Sequence, residues 1–187
     1  DELKDEFAFK PGQYLTLRTK LNGKDIRRSY SICCAPGEGL EIGVKRVEGG
    51  MFSSFAQDLK PGDRVEVAPP HGRFTVEPGQ DWNFLMIAAG SGITPVLSIV
   101  KAVLAGNPAS HITLIYANRN VDSVMFRAEL DALKDTYLTR LNLLHVFSEA
   151  DEDAEVLSGR VDTTKLADMQ ARGLINVTRY DAAYLCG

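Results

Sequence analysis

The chain has 187 residues, of which 44% are hydrophobic and 25% charged, and it carries a formal net charge of −4 with a pI near 5.4. This composition is that of a globular protein with one large or two small cores, and it excludes an intrinsically disordered chain. Neither half contains the dense Lys/Arg cluster of a protein that binds nucleic acid or a membrane surface. The longest apolar runs, such as residues 84–89, are far shorter than a bilayer span. We therefore expect neither nucleic acid nor membrane as a partner.

The three cysteines limit the redox chemistry of the chain. Cys33 and Cys34 are adjacent, which is too close for a relaxed mutual bridge, and Cys186 is the only other cysteine. An odd number of cysteines without a disulfide framework favours the reducing cytoplasm. Three thiolates also cannot ligate a [2Fe–2S] cluster, which needs four. None of the three histidines has the spacing of a metal site, so we predict no metal in this chain.

The N-terminal half alternates short apolar and polar segments with turn residues. We predict strands at 13–19, 29–34, 40–47 and 64–68, separated by turns such as Asn22-Gly23 and Pro61-Gly62. A single short helix is predicted at 51–59. This pattern is typical of a small antiparallel barrel or sandwich.

Beyond residue 79 the pattern changes to strands that alternate with helices. We predict strands at 83–89, 111–117, 140–147 and 182–186, and helices at 95–104, 123–134 and 163–171. Alternation of this kind predicts a parallel sheet, so the chain divides into a β domain (1–78) and an α/β domain (79–187). Little sequence precedes Pro11-Gly12 for a first barrel strand, and no helix follows Cys186-Gly187. We therefore expect a longer protein from which both ends have been cut.

A candidate phosphate-binding turn joins the first predicted strand and helix of the α/β domain. The strand runs into Gly90-Ser91-Gly92, and the helix begins near Thr94-Pro95. This order presents backbone N–H groups and the positive end of a helix to a phosphate, and glycine permits its close approach. The general GxGxxG fingerprint is only half met. The alternative is a glycine turn that merely closes a strand–helix unit.

A second candidate site is Arg28-Ser29-Tyr30-Ser31, at the end of an alternating run. Arg28 offers a permanent, fork-shaped cation for a pyrophosphate, Tyr30 a flat face for an isoalloxazine ring, and Ser31 a hydroxyl for a ring nitrogen or oxygen. On a flat strand, residues 28 and 30 share one face and residue 31 lies on the other, so strand twist or a turn must bring them together. The alternative is a surface arginine beside a core tyrosine.

Five motifs follow one another in an order that covers nearly the whole chain. They are Arg28-Ser29-Tyr30-Ser31, Gly49-Gly50-Met51-Phe52-Ser53, Pro70-x-Gly72-x-Phe74, Gly90-Ser91-Gly92-Ile93-Thr94-Pro95 and Cys186-Gly187. In this order the chain resembles the ferredoxin–NADP reductase superfamily. Segments 22–33 and 116–119, with Phe126-Arg127, most resemble the reductase subunits of bacterial phenylacetyl-CoA epoxidases, which are of the oxygenase-reductase type.

The resemblance implies an antiparallel Greek-key FAD-binding barrel followed by a Rossmann-like, parallel-sheet NAD(P)-binding domain. It implies that Tyr30 packs on the flavin, Ser31 lies near flavin N5 and Cys186 lies beside the nicotinamide, and these three are the catalytic candidates. Arg28 and the backbone of 50–53 would hold the FAD phosphates, and 90–94 the nicotinamide nucleotide. The implied cofactor-binding residues are Arg28, Tyr30, Ser31, Val44, Lys45, Gly50, Met51, Phe52, Ser53, Gly90, Gly92, Ile93, Thr94 and Arg119.

The order of the two implied sites suits electron transfer. Nicotinamide gives up two electrons as hydride, whereas an iron–sulfur cluster accepts one at a time, so a flavin must stand between them. The resemblance thus implies an NAD(P)H-dependent FAD reductase, with an iron–sulfur domain or ferredoxin and an oxygenase component as partners. Any [2Fe–2S] cluster would belong to a part of the protein outside this chain.

Two other functions compete with this one. A non-catalytic, flavin- or nucleotide-binding docking module would keep the same fold, but intact Arg28, Tyr30, Ser31, Gly92 and Cys186 argue against it. A translation-factor-like barrel with a nucleotide domain would need a Gly-Lys-Ser/Thr phosphate loop, which the sequence lacks.

The sequence gives mixed indications about the coenzyme. Arg119 and Arg127 could bind the 2′-phosphate of NADPH, although Arg119 could equally be a solvated surface charge. Ser148-Glu149 places a carboxylate where plant-type NADP enzymes have a Ser-Arg pair. The resemblance favours NADPH without excluding NADH.

Overall fold

The chain folds into two sheets, one antiparallel and one parallel. A computed structural model describes residues 3–77, 79, 81–149 and 156–187. The elements in chain order are β1 (Tyr14–Leu21), β2 (Lys24–Ser31), α1 (Met51–Asp58), β3 (Glu66–His71), β4 (Asn83–Ala89), α2 (Ile93–Gly106), β5 (His111–Asn118), α3 (Arg127–Thr136), β6 (Leu141–Phe147), α4 (Thr163–Ala171) and β7 (Ala182–Cys186). The antiparallel sheet has the order β2-β1-β3 and the parallel sheet the order β6-β5-β4-β7. The predicted fold class, an antiparallel β domain followed by a parallel α/β domain, is confirmed.

The predicted Asn22-Gly23 turn connects β1 and β2 of the antiparallel sheet. Both residues have positive φ, 50° and 74°, and Leu21 pairs with Lys24 across the turn, which makes a two-residue hairpin. Alternate residues of the hairpin strands point inward and form a small core with the residues after β2 and the first turn of α1. That core contains Leu15, Leu17, Ile26, Ile32, Cys34 and Phe52.

The predicted strand at 40–47 is wrong. Within it, only Ile42 forms a β-bridge, to Ile32. The Glu41 carbonyl accepts from Cys33 N–H beside this bridge. Other backbone groups of the segment bond to side chains: Glu41 N–H donates to Cys34 Sγ, and the Val44 carbonyl accepts from Gln57 Nε2. Each of these bonds satisfies a backbone group that a strand ladder would otherwise use.

The parallel sheet has an apolar core because helices cover both of its faces. Residues 93–100 of α2 are all buried, and this helix runs over 93–106, beyond the predicted 95–104. The helix predicted at 123–134 begins instead at Arg127. A short 3-10 turn with Asn120 and Ser123 bonded to each other precedes it, and Phe126 has a left-handed backbone, with φ of 58°.

Residues from the N-terminal half complete the core of the α/β half. Cys33 and Val76 are buried among the side chains of β4, β5 and α2, and the ring of Phe74 packs edge-on against Tyr184 of β7. These contacts join the segments that follow β2 and β3 to the α/β half. After β4 the chain continues to β5 on one side, while β7 lies on the other, and such a reversal of strand order is where open α/β sheets bind ligands. None of the helices in the described ranges is long and apolar enough to cross a membrane.

Candidate active site

A cavity of about 540 Å³ lies between the end of β2, the start of α1 and the carboxyl ends of β4 and β7. We name its two walls after the ligands that the sequence predicts for them. The flavin-side wall contains residues 28–31 and 50–53 of the N-terminal half, and the nucleotide-side wall contains residues 91, 92, 94, 95, 186 and 187 of the α/β half. The predicted site residues that line it are Arg28, Tyr30, Ser31, Lys45, Gly50, Met51, Phe52, Ser53, Gly92, Thr94 and Cys186. The structure therefore gathers residues from four sequence motifs around one space.

The end of β2 supplies the side chains of the flavin-side wall. Tyr30 is half-buried, and its ring lies 5.4 Å from that of Phe52 at an angle of 34°. Phe52 is itself buried and makes an edge contact with Phe55, so the Tyr30 ring rests on a fixed surface. Burial raises the pKa of the Tyr30 hydroxyl, while the nearby Arg28 charge lowers it. The tyrosine is thus neutral at physiological pH and offers an uncharged ring face.

Arg28 and Ser31 line the cavity on either side of this ring. Arg28 is exposed, and its Nη1 donates to the carbonyl of Arg27 over 2.7 Å, which leaves its other N–H groups able to donate to a ligand. Ser31 is the last residue of β2, although Ile32 N–H still bonds to the Gln13 carbonyl in the same register. Arg28, Tyr30 and Ser31 all line the one cavity at this end of the strand.

The start of α1 presents backbone donors. Gly50 caps the helix without a side-chain hydrogen bond, and the N–H groups of the first helical turn have no partner within the helix. The Ser53 hydroxyl accepts from Val47 N–H and donates to the Gly50 carbonyl, each over 3.1 Å. A Cβ on Gly50 would lie 2.5 Å from Ser53 Oγ. Ser53 therefore shapes this turn with its hydroxyl, and only its backbone N–H is available to a phosphate.

The nucleotide-side wall is a backbone turn held by its neighbours. Gly90 to Gly92 form one 3-10 turn that leads into α2. A Cβ on Gly92 would lie 2.1 Å from the Cys186 carbonyl oxygen, so only glycine lets β7 end against the turn. The Tyr116 hydroxyl, fully buried, donates to the Gly90 carbonyl over 3.0 Å and accepts from Met125 N–H.

Not every predicted residue of this turn uses its side chain. Ile93 is fully buried in the α/β core, so only its backbone can contribute to a site. The Thr94 hydroxyl donates to the Ser91 carbonyl over 3.0 Å. Cys186 lines the cavity, and burial raises the pKa of its thiol, which therefore stays protonated at neutral pH. This state suits a wall of the cavity better than a nucleophile.

A second groove, of about 790 Å³, runs along the carboxyl ends of β4, β5 and β6. Gly90 and Arg119 line it, as predicted, and Lys45 lines both this groove and the cavity. The ammonium of Lys45 donates to the Ser123 carbonyl over 3.3 Å. Val44 lines neither space. Apart from Val44 and Ile93, the predicted residues thus line two adjoining spaces.

Several residues of the groove were not predicted from the sequence. They include Arg46, Asn118, Ser148 and Arg160. The amide of Asn118 is buried, and its oxygen and nitrogen have no hydrogen-bond partner within the described ranges. Arg160 follows Gly159 in a loop without a periodic sequence pattern. No sequence signal therefore predicts that it lines the same groove as Arg119. The Glu149 carboxylate, expected to oppose a 2′-phosphate, accepts a hydrogen bond from Asn120 Nδ2 over 3.1 Å.

The donor set of these two spaces fits an elongated dinucleotide with a flat ring at one end. The cavity has an aromatic face, open helix N–H groups and a cationic fork on its flavin-side wall and a glycine turn on its nucleotide-side wall. The adjoining groove adds several cations and the buried amide of Asn118. No group of three or more His, Cys, Asp or Glu side chains placed to bind a metal occurs in the part of the chain that the structure describes. The site is that of a flavin- and nicotinamide-binding oxidoreductase.

Comparison with known families agrees with this class. The oxidoreductase FAD-binding domain model matches residues 1–76, and the oxidoreductase NAD-binding domain model matches residues 86–187. The chain belongs to the ferredoxin–NADP reductase superfamily of FAD- and NAD(P)H-dependent oxidoreductases. The expected family and cofactors are thereby confirmed.

Similar proteins include components of oxygenase systems. The chain is 45% identical to a subunit of 1,2-phenylacetyl-CoA epoxidase of Escherichia coli (strain K12) over 190 residues, which cover 99% of this chain and 53% of that protein. It is 42% identical to the ferredoxin reductase component of 3-ketosteroid-9-alpha-monooxygenase of Rhodococcus rhodochrous over 149 residues, 78% of this chain and 42% of that protein. The chain thus spans about half the length of these relatives.

Solved structures with the same fold include the H286L mutant of ferredoxin-NADP+ reductase from Plasmodium falciparum with 2'P-AMP. That structure superposes with a TM-score of 0.79 at 25% identity and covers 97% of this chain and 74% of its own. The cytochrome b5 reductase domain of Ulva prolifera nitrate reductase gives a TM-score of 0.78 at 24% identity, with 96% and 75% covered. The similarity to the cytochrome b5 reductase domain supports the assignment of the fold.

Proposed function

We propose that this chain is the FAD- and NAD(P)H-binding part of an oxygenase reductase. In this proposal electrons pass from NAD(P)H through FAD to an iron–sulfur centre and on to an oxygenase such as phenylacetyl-CoA epoxidase. One observation carries the proposal: the flavin-side wall at Tyr30 and the nucleotide-side wall at Gly92 and Cys186 face a single cavity. Two rings bound to these walls can therefore meet. The names of the two relatives above support the oxygenase reductase role.

On the flavin-side wall, three features would hold FAD. The Tyr30 ring, supported by Phe52, would stack on the isoalloxazine, the Arg28 guanidinium would pair with the pyrophosphate, and N–H groups at the start of α1 would donate to phosphate oxygens. Ser31 would lie near the ring edge where hydride arrives. Bound FAD supplies the change from two-electron to one-electron transfer.

The remaining work of the chain is orientation and exclusion of water. Tyr30 and Cys186 have raised pKa values because they are buried, so both are neutral and neither supplies a general base at physiological pH. Hydride transfer needs no strong acid or base, and its rate depends on how closely the two rings are held. Gly92 and Cys186, packed against each other, would form the floor on which the nicotinamide rests.

The second groove favours NADPH as the donor. Arg119 and Arg160 line it together with Arg46 and Lys45, so four cations and one carboxylate, that of Glu48, line the space that would receive the adenosine end of the coenzyme. Glu149, whose carboxylate accepts a hydrogen bond from Asn120, is not among the lining residues. An Arg119→Met substitution should raise the KM for NADPH more than the KM for NADH. Equal changes in both KM values would show that Arg119 is a solvated charge.

The decisive experiment is anaerobic reduction of the purified protein. FAD-loaded protein should be yellow and should bleach when NADPH is added, more slowly with NADH. Protein that remains colourless and cannot take up added FAD would disprove the proposal. Protein that binds FAD but is not bleached by either coenzyme would support the alternative of a docking module.

A matched pair of variants tests the flavin-side wall. Tyr30→Ala removes the stacking ring and should raise the Kd for FAD by about tenfold, equivalent to about 1.4 kcal/mol. Tyr30→Phe keeps the ring and should bind FAD as the wild type does. Fluorescence titration of the apoprotein with FAD measures both. Equal affinity of the alanine variant and the wild type would exclude stacking on Tyr30.

The electron acceptor lies beyond this chain in our proposal. The three cysteines of this chain are free and are too few to ligate a [2Fe–2S] cluster. Cys33 and Cys34 also lie in different hydrophobic clusters, and Cys186 lies at the end of β7. An iron–sulfur domain of the same protein or a ferredoxin would therefore take the electrons, in the reducing cytoplasm where free thiols persist. Reduced protein that transfers no electrons to a plant-type [2Fe–2S] ferredoxin or to its own iron–sulfur domain would contradict this step.

A further inference from the structure

Helix α2 contacts the nucleotide-side wall and also the chain segment that follows the flavin-side end of β2. Its first turn follows Gly92, on the nucleotide-side wall. Ser98 and Lys101 lie three residues apart and therefore on one face of the helix, and that face meets the segment of the N-terminal half that follows β2. Neither residue lines the cavity itself. The same rigid helix thus connects the two walls.

Two polar contacts make this connection. The Ser98 hydroxyl, fully buried, donates to the Cys34 carbonyl over 2.7 Å. The Lys101 ammonium pairs with Glu38 over 3.3 Å, and the lysine side chain is only 11% exposed. We call these two contacts the seam. The Glu38 side chain is 51% exposed, so the ion pair is buried only on its lysine side. The buried hydrogen bond is directional, and together the two contacts fix the position of the segment more tightly than apolar contact alone.

The far side of the seam is coupled to the flavin-side wall by a short chain segment. Glu38 also accepts from Ala35 N–H over 2.9 Å, and Glu38 N–H donates to the Ala35 carbonyl, so the segment 35–38 is a closed turn. Cys34 precedes this turn and follows Ser31 by only three residues. A shift of the turn relative to α2 would therefore move the end of β2, which carries Tyr30 and Ser31.

We infer that Ser98 and Lys101 are positioning residues for hydride transfer, because the seam sets the separation of the flavin and nicotinamide walls. This inference rests on the proposed function. Misplacement of reacting groups by about 1 Å can cost about 100-fold in rate, so a contact that fixes two walls acts on the reaction without touching either cofactor. Lys101 also pairs with Glu129 of α3, within the α/β half, which offers an internal control.

The test is stopped-flow reduction of the FAD-loaded protein at saturating NADPH. Lys101→Met and Ser98→Ala should each lower the limiting rate of flavin reduction by about tenfold, while the KM for NADPH and the Kd for FAD stay within about twofold of the wild type. Lys101→Arg keeps a cation in reach of Glu38 and should recover most of the rate. A role confined to stability would lower the melting temperature and leave the limiting rate of the folded protein unchanged.

Two glutamate variants separate the seam from the rest of the α/β half. Glu38→Gln weakens the contact across the seam and should slow flavin reduction, whereas Glu129→Gln weakens only the contact within the α/β half and should not. Equal rates for Glu38→Gln and the wild type, or equal slowing by both glutamate variants, would overturn the inference. If Lys101→Met does not fold, the comparison of Glu38→Gln with Glu129→Gln decides alone.

Failure of the proposed function would look different. In that case the wild-type protein itself would not be reduced by NADPH or NADH. Wild-type protein that is reduced, together with Lys101→Met and Ser98→Ala variants that are reduced at the same limiting rate, would leave the proposed function standing and reject the seam. Arg172→Met, which removes the exposed pair with Asp168 on α4, serves as a control for loss of a surface charge.

Discussion

The two walls of the cavity are built on different principles. The nucleotide-side wall is backbone: a glycine turn in front of a helix whose first eight residues are all buried, closed by a Tyr116 hydroxyl beneath and β7 beside it. The flavin-side wall combines side chains at the end of a largely exposed strand with the backbone N–H groups at the start of α1, and it is backed by a small core. In the first wall the packing of the fold determines the site. In the second the site depends on residue chemistry that the fold hardly constrains.

This difference predicts how each wall responds to substitution. A change in the nucleotide-side wall should damage stability and function together, because the same atoms serve both. A change in the flavin-side half should affect either binding, as for Tyr30, or stability, as for its hairpin turn, but rarely both. Three predictions test this division, from the largest expected effect to the smallest.

Gly92→Ala should be the most damaging. Its Cβ would lie 2.1 Å from the Cys186 carbonyl oxygen and 2.4 Å from the carbonyl carbon, and neither backbone atom can move without shifting β7. We expect a loss of about 3 kcal/mol in the free energy of unfolding, typical of overpacking, together with loss of flavin reduction by NADPH. Urea unfolding and anaerobic reduction measure the two effects.

Gly106→Ala is the matched control for this substitution. Gly106 ends α2 and has open space where a Cβ would be, so alanine there should stabilise the helix by up to about 1 kcal/mol and leave flavin reduction unchanged. If the Gly92→Ala variant were as stable as the Gly106→Ala variant, β7 could move away from the glycine turn at little cost. The close packing of the nucleotide-side wall would then not limit its stability.

Cys33 tests how far the rigid core extends into the N-terminal half. Burial raises the pKa of its thiol from 9.0 to about 11. The folded state thus holds this proton more tightly than the unfolded state, and the stabilisation is complete below pH 9 and is lost as the pH rises towards 11. At about 1.4 kcal/mol per pKa unit, the loss attributable to this thiol is on the order of 2 kcal/mol.

Cys33→Ala isolates this contribution. The free energy of unfolding of the variant should fall less steeply with pH between 9 and 11 than that of the wild type. The slopes are compared, and not the absolute stabilities, because alanine also leaves a small cavity at any pH. Parallel curves for the two proteins would show that the Cys33 thiol is hydrated and lies outside the rigid core.

The same division explains which features could be predicted from the sequence. Strands β4, β5 and β6 and helix α2 are predominantly apolar, so the local pattern alone predicts them, and the glycine turn between β4 and α2 follows from their order. The segment 40–47 has a strand-like pattern, yet part of its backbone bonds to side chains outside the segment, the Cys34 sulfur and the Gln57 amide. Local periodicity cannot reveal such bonds.

The site shows the same limit. Motifs with a local chemical signature, at Arg28 to Ser31 and at Gly90 to Gly92, were found and do meet at one cavity. Arg160 was missed because its neighbour in the groove, Arg119, lies some forty residues earlier, and only the parallel pairing of the strands brings the two together. The seam between Lys101 and Glu38 is non-local in the same way. Sequence patterns predict a structural feature when the residues of one segment form it. They do not predict a feature that depends on contacts between two segments distant in the chain.

Gly23→Ala should have the smallest effect and should confine it to stability. Gly23 has a φ of 74° in the β1–β2 turn, and no atom lies within 4 Å of the position of a Cβ, so the cost is only that of a left-handed alanine, about 1 kcal/mol. Asn22→Gly in the same turn keeps the positive φ accessible and should be nearly neutral. Both variants should reduce FAD at the wild-type rate, because the turn lies at the opposite end of β2 from Tyr30 and Ser31. Slower reduction in Gly23→Ala at unchanged FAD affinity would show that strain in the hairpin reaches the flavin-side wall, and the division between the two walls would then have to be abandoned.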